Sequence, residues 1–189
     1  MLSEKFGHAL DKPLQNLAGK IPFSPNTITV AGFLITVLSA YVLSFDLFFG
    51  GIIVLAGGFF DMLDGIIART NNKTTRFGAF LDSFLDRVSD ALIFLGIAWY
   101  FNTTDNKTGV ILCLTVLVGS FLISYARARA EGLSAKCTVG IIERPERIIL
   151  ISFGLIIGFI MPALWILLVL TWFTVIQRIY YVWKTMEKR

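Results

Sequence analysis

Long apolar runs separated by short polar clusters dominate this chain. Six runs approach the roughly 20 residues that a helix needs to cross a bilayer core: about 25–45, 48–69, 77–101, 109–132, 145–160 and 162–183. The stretches 70–76 (TNNKTTR) and 102–108 (NTTDNKT) read as polar loops. Met161-Pro162 marks the turn after the short fifth run, because proline ends or kinks a helix. Ser24-Pro25 starts the first run, with serine as N-cap and proline in the first turn. Ahead of it, Leu2, Phe6, Leu10, Leu14, Leu17 and Ile21 recur at helical spacing, while Glu4, Lys5, Asp11, Lys12, Asn16 and Lys20 fill the other face. This predicts an amphipathic helix over 1–22 lying in the membrane interface. Pro13 bends it or Asp11 caps its second half. The expected fold is all-α and integral to the membrane: six transmembrane helices over 23–189, preceded by that N-terminal interfacial helix.

Composition agrees with this pattern. Of 189 residues, 56% are hydrophobic and 16% charged, against about 45–50% and about 25% in soluble domains. A soluble enzyme, a disordered chain and a disulfide scaffold are excluded, and the continuous runs do not alternate as transmembrane β-strands do. Cys113 and Cys137 lie far apart without CxxC spacing, so neither a zinc site nor a disulfide is expected. His8, the single histidine, sits among charged residues and reads as interfacial. The first 20 residues are charged and amphipathic, so no signal peptide is expected.

Six spans put both termini on one side. That side carries Lys5, Lys12, Lys20, Arg69, Lys73, Arg76, Arg127, Arg129, Lys136, Arg144, Arg147, Lys184, Lys188 and Arg189. The opposite loops have only Lys107, with Asp46 and Asp105. The positive-inside rule makes the termini cytoplasmic in a multi-pass cell-membrane protein. The expected surface partner is the lipid bilayer, with no nucleic acid.

Charges within spans are costly, about 2.5–3.5 kcal/mol each on insertion scales, yet Asp61, Asp64, Asp82, Asp86 and Asp90 fall in or near the second and third runs. Asp61 and Asp64 are i,i+3, and Asp82 and Asp86 are i,i+4, so each pair shares a helix face. The loop at 70–76 is expected to fold the second span back against the third and bring the pairs to similar depth. Convergent carboxylates without His or Cys favour a hard divalent ion, Mg²⁺ or Mn²⁺. Four ligands suffice for two ions about 3.5–4 Å apart, as in phosphoryl transfer. The rival reading is a structural network with Arg69, Arg76 and Arg87. Asp90 is read as structural, with Arg87 as its partner. Gly65 and Gly78 flank the carboxylates and permit close approach of a ligand or a helix; Gly57-Gly58 reads as helix packing.

Together these residues form Asp61-x2-Asp64-Gly65-x2-Ala68-Arg69-x8-Gly78-x3-Asp82-x3-Asp86. This resembles the signature of the CDP-alcohol phosphotransferases, with eight positions at fixed spacing over 26 residues. The resemblance implies transfer of a phosphatidyl-type group from a CDP-linked lipid to an alcohol, with release of CMP. It implies that Asp61, Asp64 and Asp82 hold the metals, and that Asp86 completes the second site and is the general base. The family's Pro-Asn-x-x-Thr element stands here as Pro25-Asn26-Thr27-Ile28-Thr29. By resemblance Asn26, Thr29 and Asp64 face the nucleotide. Arg69 meets its phosphate, and Gly65, Ala68 and Gly78 leave room for cytidine. The resemblance also implies a homodimer.

A second basic cluster bears on the acceptor. Ser124-Tyr125-Ala126-Arg127-Ala128-Arg129-Ala130-Glu131-Gly132 ends the fourth run, and Gly140-Ile141-Ile142-Glu143-Arg144-Pro145-Glu146-Arg147 opens the fifth. Positive-inside anchoring and Arg–Glu pairing explain part of it. Arginines beside a metal site also suit a phosphate-bearing acceptor, which guanidinium binds bidentately. These segments resemble the branch of phosphatidylinositol phosphate synthases and their archaeal-lipid counterparts, which implies an inositol phosphate pocket lined by Arg127, Arg144 and Arg178. Arg127 stands where many relatives have lysine. Arg178 rests on being a charge within the sixth run, and Arg147 reads as structural or functional alike. Glycerol 3-phosphate and serine are the alternative acceptors, and diacylglycerol and archaeol are the alternative lipids. From another class, a divalent-cation transporter could use the aspartates, although a cation path should not collect arginines.

Overall fold

The computed structural model describes residues 24–70 and 75–187, except the side chains of Asp64, Ala68 and Arg69. The expected interfacial helix over 1–22 lies outside the described residues. Among the described residues there are six helices and no strand: α1 (Pro25–Leu43), α2 (Leu47–Thr70), α3 (Arg76–Thr103), α4 (Lys107–Gly132), α5 (Arg144–Ile156) and α6 (Ile160–Met186).

Polar residues between the apolar runs do their work as caps. Ser24 Oγ accepts from Thr27 N at 3.2 Å, Asp46 Oδ1 from Phe49 N at 2.9 Å, Thr75 Oγ1 from Gly78 N at 2.9 Å, and Asn106 Oδ1 from Gly109 N at 2.9 Å. Each satisfies an amide that a helix start leaves without an intrahelical partner. The break between α5 and α6 differs from the sequence reading. The turn falls at 157–159, where Gly158 has φ +75°. Pro162 lies in the first turn of α6 instead. Glycine adopts that φ without a Cβ clash, and proline in a helix's first turn loses no hydrogen bond.

The helices α1, α2 and α3 do not form the expected hairpin of the second span on the third. α1 packs broadly on both α2 and α3, whereas α2 and α3 meet only marginally. Gly96 allows this on the α3 side, because a Cβ there would come within 2.6 Å of Ala40 O on α1. α4 packs on α6 and α3, and α5 joins α2 to α6. The main core runs between these layers through Leu43, Val54, Phe94, Ile97, Val116, Ile151, Leu164 and Leu167. Outward faces stay apolar, as at Leu34, Phe49, Trp99, Ile111, Ile149 and Val169.

Among the described residues, four helices are long and apolar enough to cross a membrane: Pro25–Leu43, Leu47–Ile67, Lys107–Gly132 and Ile160–Met186. α3 has the length, with 28 residues, but carries Asp82, Asp86, Arg87 and Asp90. α5 has only 13 residues, about 20 Å at 1.5 Å per residue. The chain is an all-helical, multi-pass membrane protein.

Candidate active site

The acidic centre forms where α2 and α3 do approach. Asp61 of α2 and Asp82 and Asp86 of α3 each place a carboxylate oxygen within 4.8 Å of the others. Asp82 and Asp86 share a face because they stand one helical turn apart. Asp64 and Gly65 belong to the same helix as Asp61, as do Ala68 and Arg69. The first turn of α3 is pinned beside α1. A Cβ on Gly78 would lie 2.9 Å from Thr75 Oγ1 and 3.0 Å from Asn26 Oδ1. Asn26 therefore sits against the turn that precedes Asp82, and any residue but glycine at 78 would push it away. Thr29 is buried, and its hydroxyl donates to Pro25 O at 3.1 Å within its own helix.

Two arginines from the start of α5 enter this centre. Arg144 Nη1 donates to Asp61 Oδ2 and lies 2.7 Å from Asp86 Oδ1, and its Nε is 3.5 Å from Asp90 Oδ1. Arg147 Nη2 donates to the other oxygen of Asp90, with 2% and 5% of the two side chains exposed. The partner expected for Asp90 is thus corrected. Arg87 turns outward to Ser83 O at 2.5 Å and to Asp86 at 3.6 Å, while Asp90 faces the bundle interior. Helical spacing displays only same-helix partners. The true ones arrive from α5, more than 50 residues along the chain.

The donor set fits a hard divalent cation. Among the described residues the candidate ligand atoms that converge are carboxylate oxygens, and ligand oxygens on opposite sides of such an ion stand about 4–5 Å apart. Asp86 Oδ1 is buried and makes no hydrogen bond, with its ion pair to Arg144 Nη1 as its polar contact. Among the described residues, Arg144 is the positive charge nearest to Asp61 and Asp86.

A cavity of about 700 Å³ opens beside the carboxylates, and Asp86, Asp90, Arg127, Arg144, Arg147 and Arg178 are in its wall. Its size is that of a small-molecule site. The three arginines singled out for an acceptor are thus brought together there, but they differ in freedom. Arg127 is half exposed and pairs with Glu131 at 3.0 Å. Arg178 is buried and departs from the expectation of a guanidinium offered to a ligand. Its Nε donates to Val139 O at 2.9 Å, its Nη1 to Ile123 O at 2.6 Å, and its Nη2 lies 3.5 Å from Glu143. It ties the extended connection between α4 and α5 to α6. Glu143 then begins α5, its amide donating to Glu146 Oε2 at 3.1 Å. That start delivers Arg144 and Arg147 to the site. Sequence reading gave Glu143 only an ion-pairing role; its i,i+3 spacing to Glu146 around Pro145 was the available signal.

The family model described as CDP-alcohol phosphatidyltransferase matches residues 23–179. An archaetidylinositol phosphate synthase from Methanothermobacter thermautotrophicus is 39% identical over 190 residues, covering 97% of this chain and 95% of that protein. The crystal structure of Mycobacterium tuberculosis phosphatidylinositol phosphate synthase with CDP-DAG bound superposes with a TM-score of 0.81 at 33% identity, covering 93% of this chain and 94% of that one. The same enzyme in complex with manganese and citrate gives 0.82 at 34% identity, covering 92% and 88%.

Proposed function

Because this chain belongs to the CDP-alcohol phosphatidyltransferase family, we propose that it transfers the phosphatidyl-type group of a CDP-linked lipid to myo-inositol phosphate and releases CMP. The donor is CDP-diacylglycerol or CDP-archaeol. The observation that carries this reading is that one wall, Asp86 and Arg144, serves both the carboxylate cluster and an arginine-lined cavity. A reaction joining an activated lipid to a phosphate-bearing alcohol needs those two compartments side by side. The names of the relatives, archaetidylinositol and phosphatidylinositol phosphate synthases, point to the same acceptor.

Asp61, Asp64, Asp82 and Asp86 would hold two divalent ions, Mg²⁺ or Mn²⁺. Bound there, such ions supply charge neutralisation for the pyrophosphate and the departing CMP. The chain's own residues do the rest. Asn26, Thr29, Asp64, Gly65, Ala68, Arg69 and Gly78 make the nucleotide site, with Arg69 on phosphate and the small residues leaving space for cytidine. Arg127 and Arg144 hold the acceptor phosphate, while Arg178 fixes the segment that presents Arg144. Asp86 takes the proton of the attacking hydroxyl. The new oxygen–phosphorus bond forms as the bridging bond to CMP breaks.

We read the chain as a six-span domain over 23–189 behind an interfacial helix over 1–22. Asp61 near the end of α2, Arg127 near the end of α4 and Arg178 near the end of α6 all belong to the site's end of the bundle. α3 starts at that end with Asp82 and runs to α4's far end, so it crosses too, and α5 likewise leaves the site from Arg144. The excess of basic residues in the loops on this side supports a cytoplasmic site and cytoplasmic termini. The functional unit is a homodimer.

The test is CMP release by purified protein with CDP-lipid and Mg²⁺, each acceptor offered separately. Release with inositol phosphate alone is expected. Release only with glycerol 3-phosphate or serine would overturn the acceptor and keep the chemistry. No release with any of them would return the aspartates to an ion-transport role.

A further inference from the structure

We infer that Asp90 is a positioning residue for the acceptor, holding Arg144 and Arg147 at fixed orientations in the wall between the carboxylate cluster and the cavity. The inference rests on the acceptor reading above and adds a residue outside the metal-ligand and nucleotide sets.

Three observations carry it. First, Asp90 is buried, with 3% of the residue exposed, one turn beyond Asp86. Second, its two oxygens serve different guanidiniums. Oδ2 accepts from Arg147 Nη2, and Oδ1 lies 3.5 Å from Arg144 Nε. An alternating row, Asp61–Arg144–Asp90–Arg147, thereby links α2, α5 and α3. Third, both arginines are in the cavity wall, and Arg147 Nε is buried without a hydrogen bond.

A buried ion pair is a poor way to stabilise a fold, because desolvation offsets most of the attraction and apolar residues of equal volume do as well or better. Inside a membrane bundle the cost is greater still. Its use here is explained by orientation. A guanidinium anchored at one edge is pre-organised, so an arriving phosphate need not order it. Without Asp90, Arg144 would keep Asp61 and Asp86 as partners, and Arg147 would lose the carboxylate its Nη2 donates to. Asp90 touches neither the reacting atoms nor the metal set in this reading; it acts through the two arginines.

The sign of the effect separates this role from plain electrostatics. Asp90→Asn removes a negative charge beside an anion site, so charge alone predicts tighter acceptor binding. Positioning predicts the reverse. The experiment is calorimetric binding of inositol phosphate to wild-type and Asp90→Asn protein without CDP-lipid, together with KM for each substrate. The expected result is at least tenfold weaker inositol phosphate binding and a matching rise in its KM. The KM for CDP-lipid should stay within twofold, and Asp90→Glu should recover part of the loss. Unchanged or tighter binding by Asp90→Asn, or equal KM changes for both substrates, overturns the inference and leaves the acceptor reading standing. No binding by wild type overturns the acceptor reading and this inference with it. If Asp90→Asn does not fold, Arg147→Lys decides. It keeps the charge but loses the planar fork, and it must weaken inositol phosphate binding several-fold; unaltered binding overturns the inference.

Discussion

Replacing Arg144 by glutamine should make the protein's stability depend on divalent metal more strongly than it does in the wild type. Arg144 stands among three carboxylates, in contact with Asp61, 2.7 Å from Asp86 and 3.5 Å from Asp90. At an effective dielectric of about 20, unit charges about 4 Å apart attract by about 4 kcal/mol before desolvation. Removing one partner from a fully buried pair costs about 3–5 kcal/mol. Here Arg144 is 17% exposed and Asp61 31% exposed, so solvent screens part of the loss, and about 2–3 kcal/mol is expected in metal-free protein. A divalent ion restores the missing counter-charge and no longer competes with a guanidinium for Asp61 and Asp86. If its Kd tightens tenfold, bound metal contributes about 1.4 kcal/mol more to the variant than to the wild type. The assay is unfolding of purified, detergent-solubilised protein in EDTA and in saturating Mn²⁺. The variant should be clearly less stable in EDTA, and the gap should narrow by about half with metal. Equal stability in EDTA, or a metal increment no larger than in the wild type, would refute the idea that Arg144 and the metal share the same carboxylates.

Three further outcomes follow from the geometry. Asp86→Asn should keep the fold but lower CMP release by at least about 10³-fold, since it removes both a metal ligand and the base; near-normal turnover would remove Asp86 from both roles. Gly96→Val should destabilise the α1–α3 contact by about 1–3 kcal/mol through overpacking, because its Cβ meets Ala40 O at 2.6 Å; a thermal melt matching the wild type would contradict the close packing. Arg178→Met should speed limited proteolysis within 133–143 and raise the KM for the acceptor, because Val139 O, Ile123 O and Glu143 lose their shared partner; an unchanged digestion pattern would show that the connection is held elsewhere.

Properties local to one helix were legible in the amino-acid order. The apolar runs mark six helices, since length and hydropathy act residue by residue along the chain. Ser24 stands where a cap is needed, and Asp82 and Asp86 share a face because 3.6 residues make a turn. The proline at 162 misled, because proline is equally at home at a helix start, and only the backbone at Gly158 reveals the turn. What no spacing rule contained was the identity of partners between helices. α1 packs broadly on both α2 and α3, which meet each other only marginally. Asp90 meets Arg147 rather than Arg87, and Arg178 spends its donors on backbone carbonyls. Such pairings depend on the rotation and depth of whole helices, which are fixed by packing summed over many side chains. The order of residues sets which charges the bundle must accommodate; packing between helices sets which of them neutralise one another and which face the cavity.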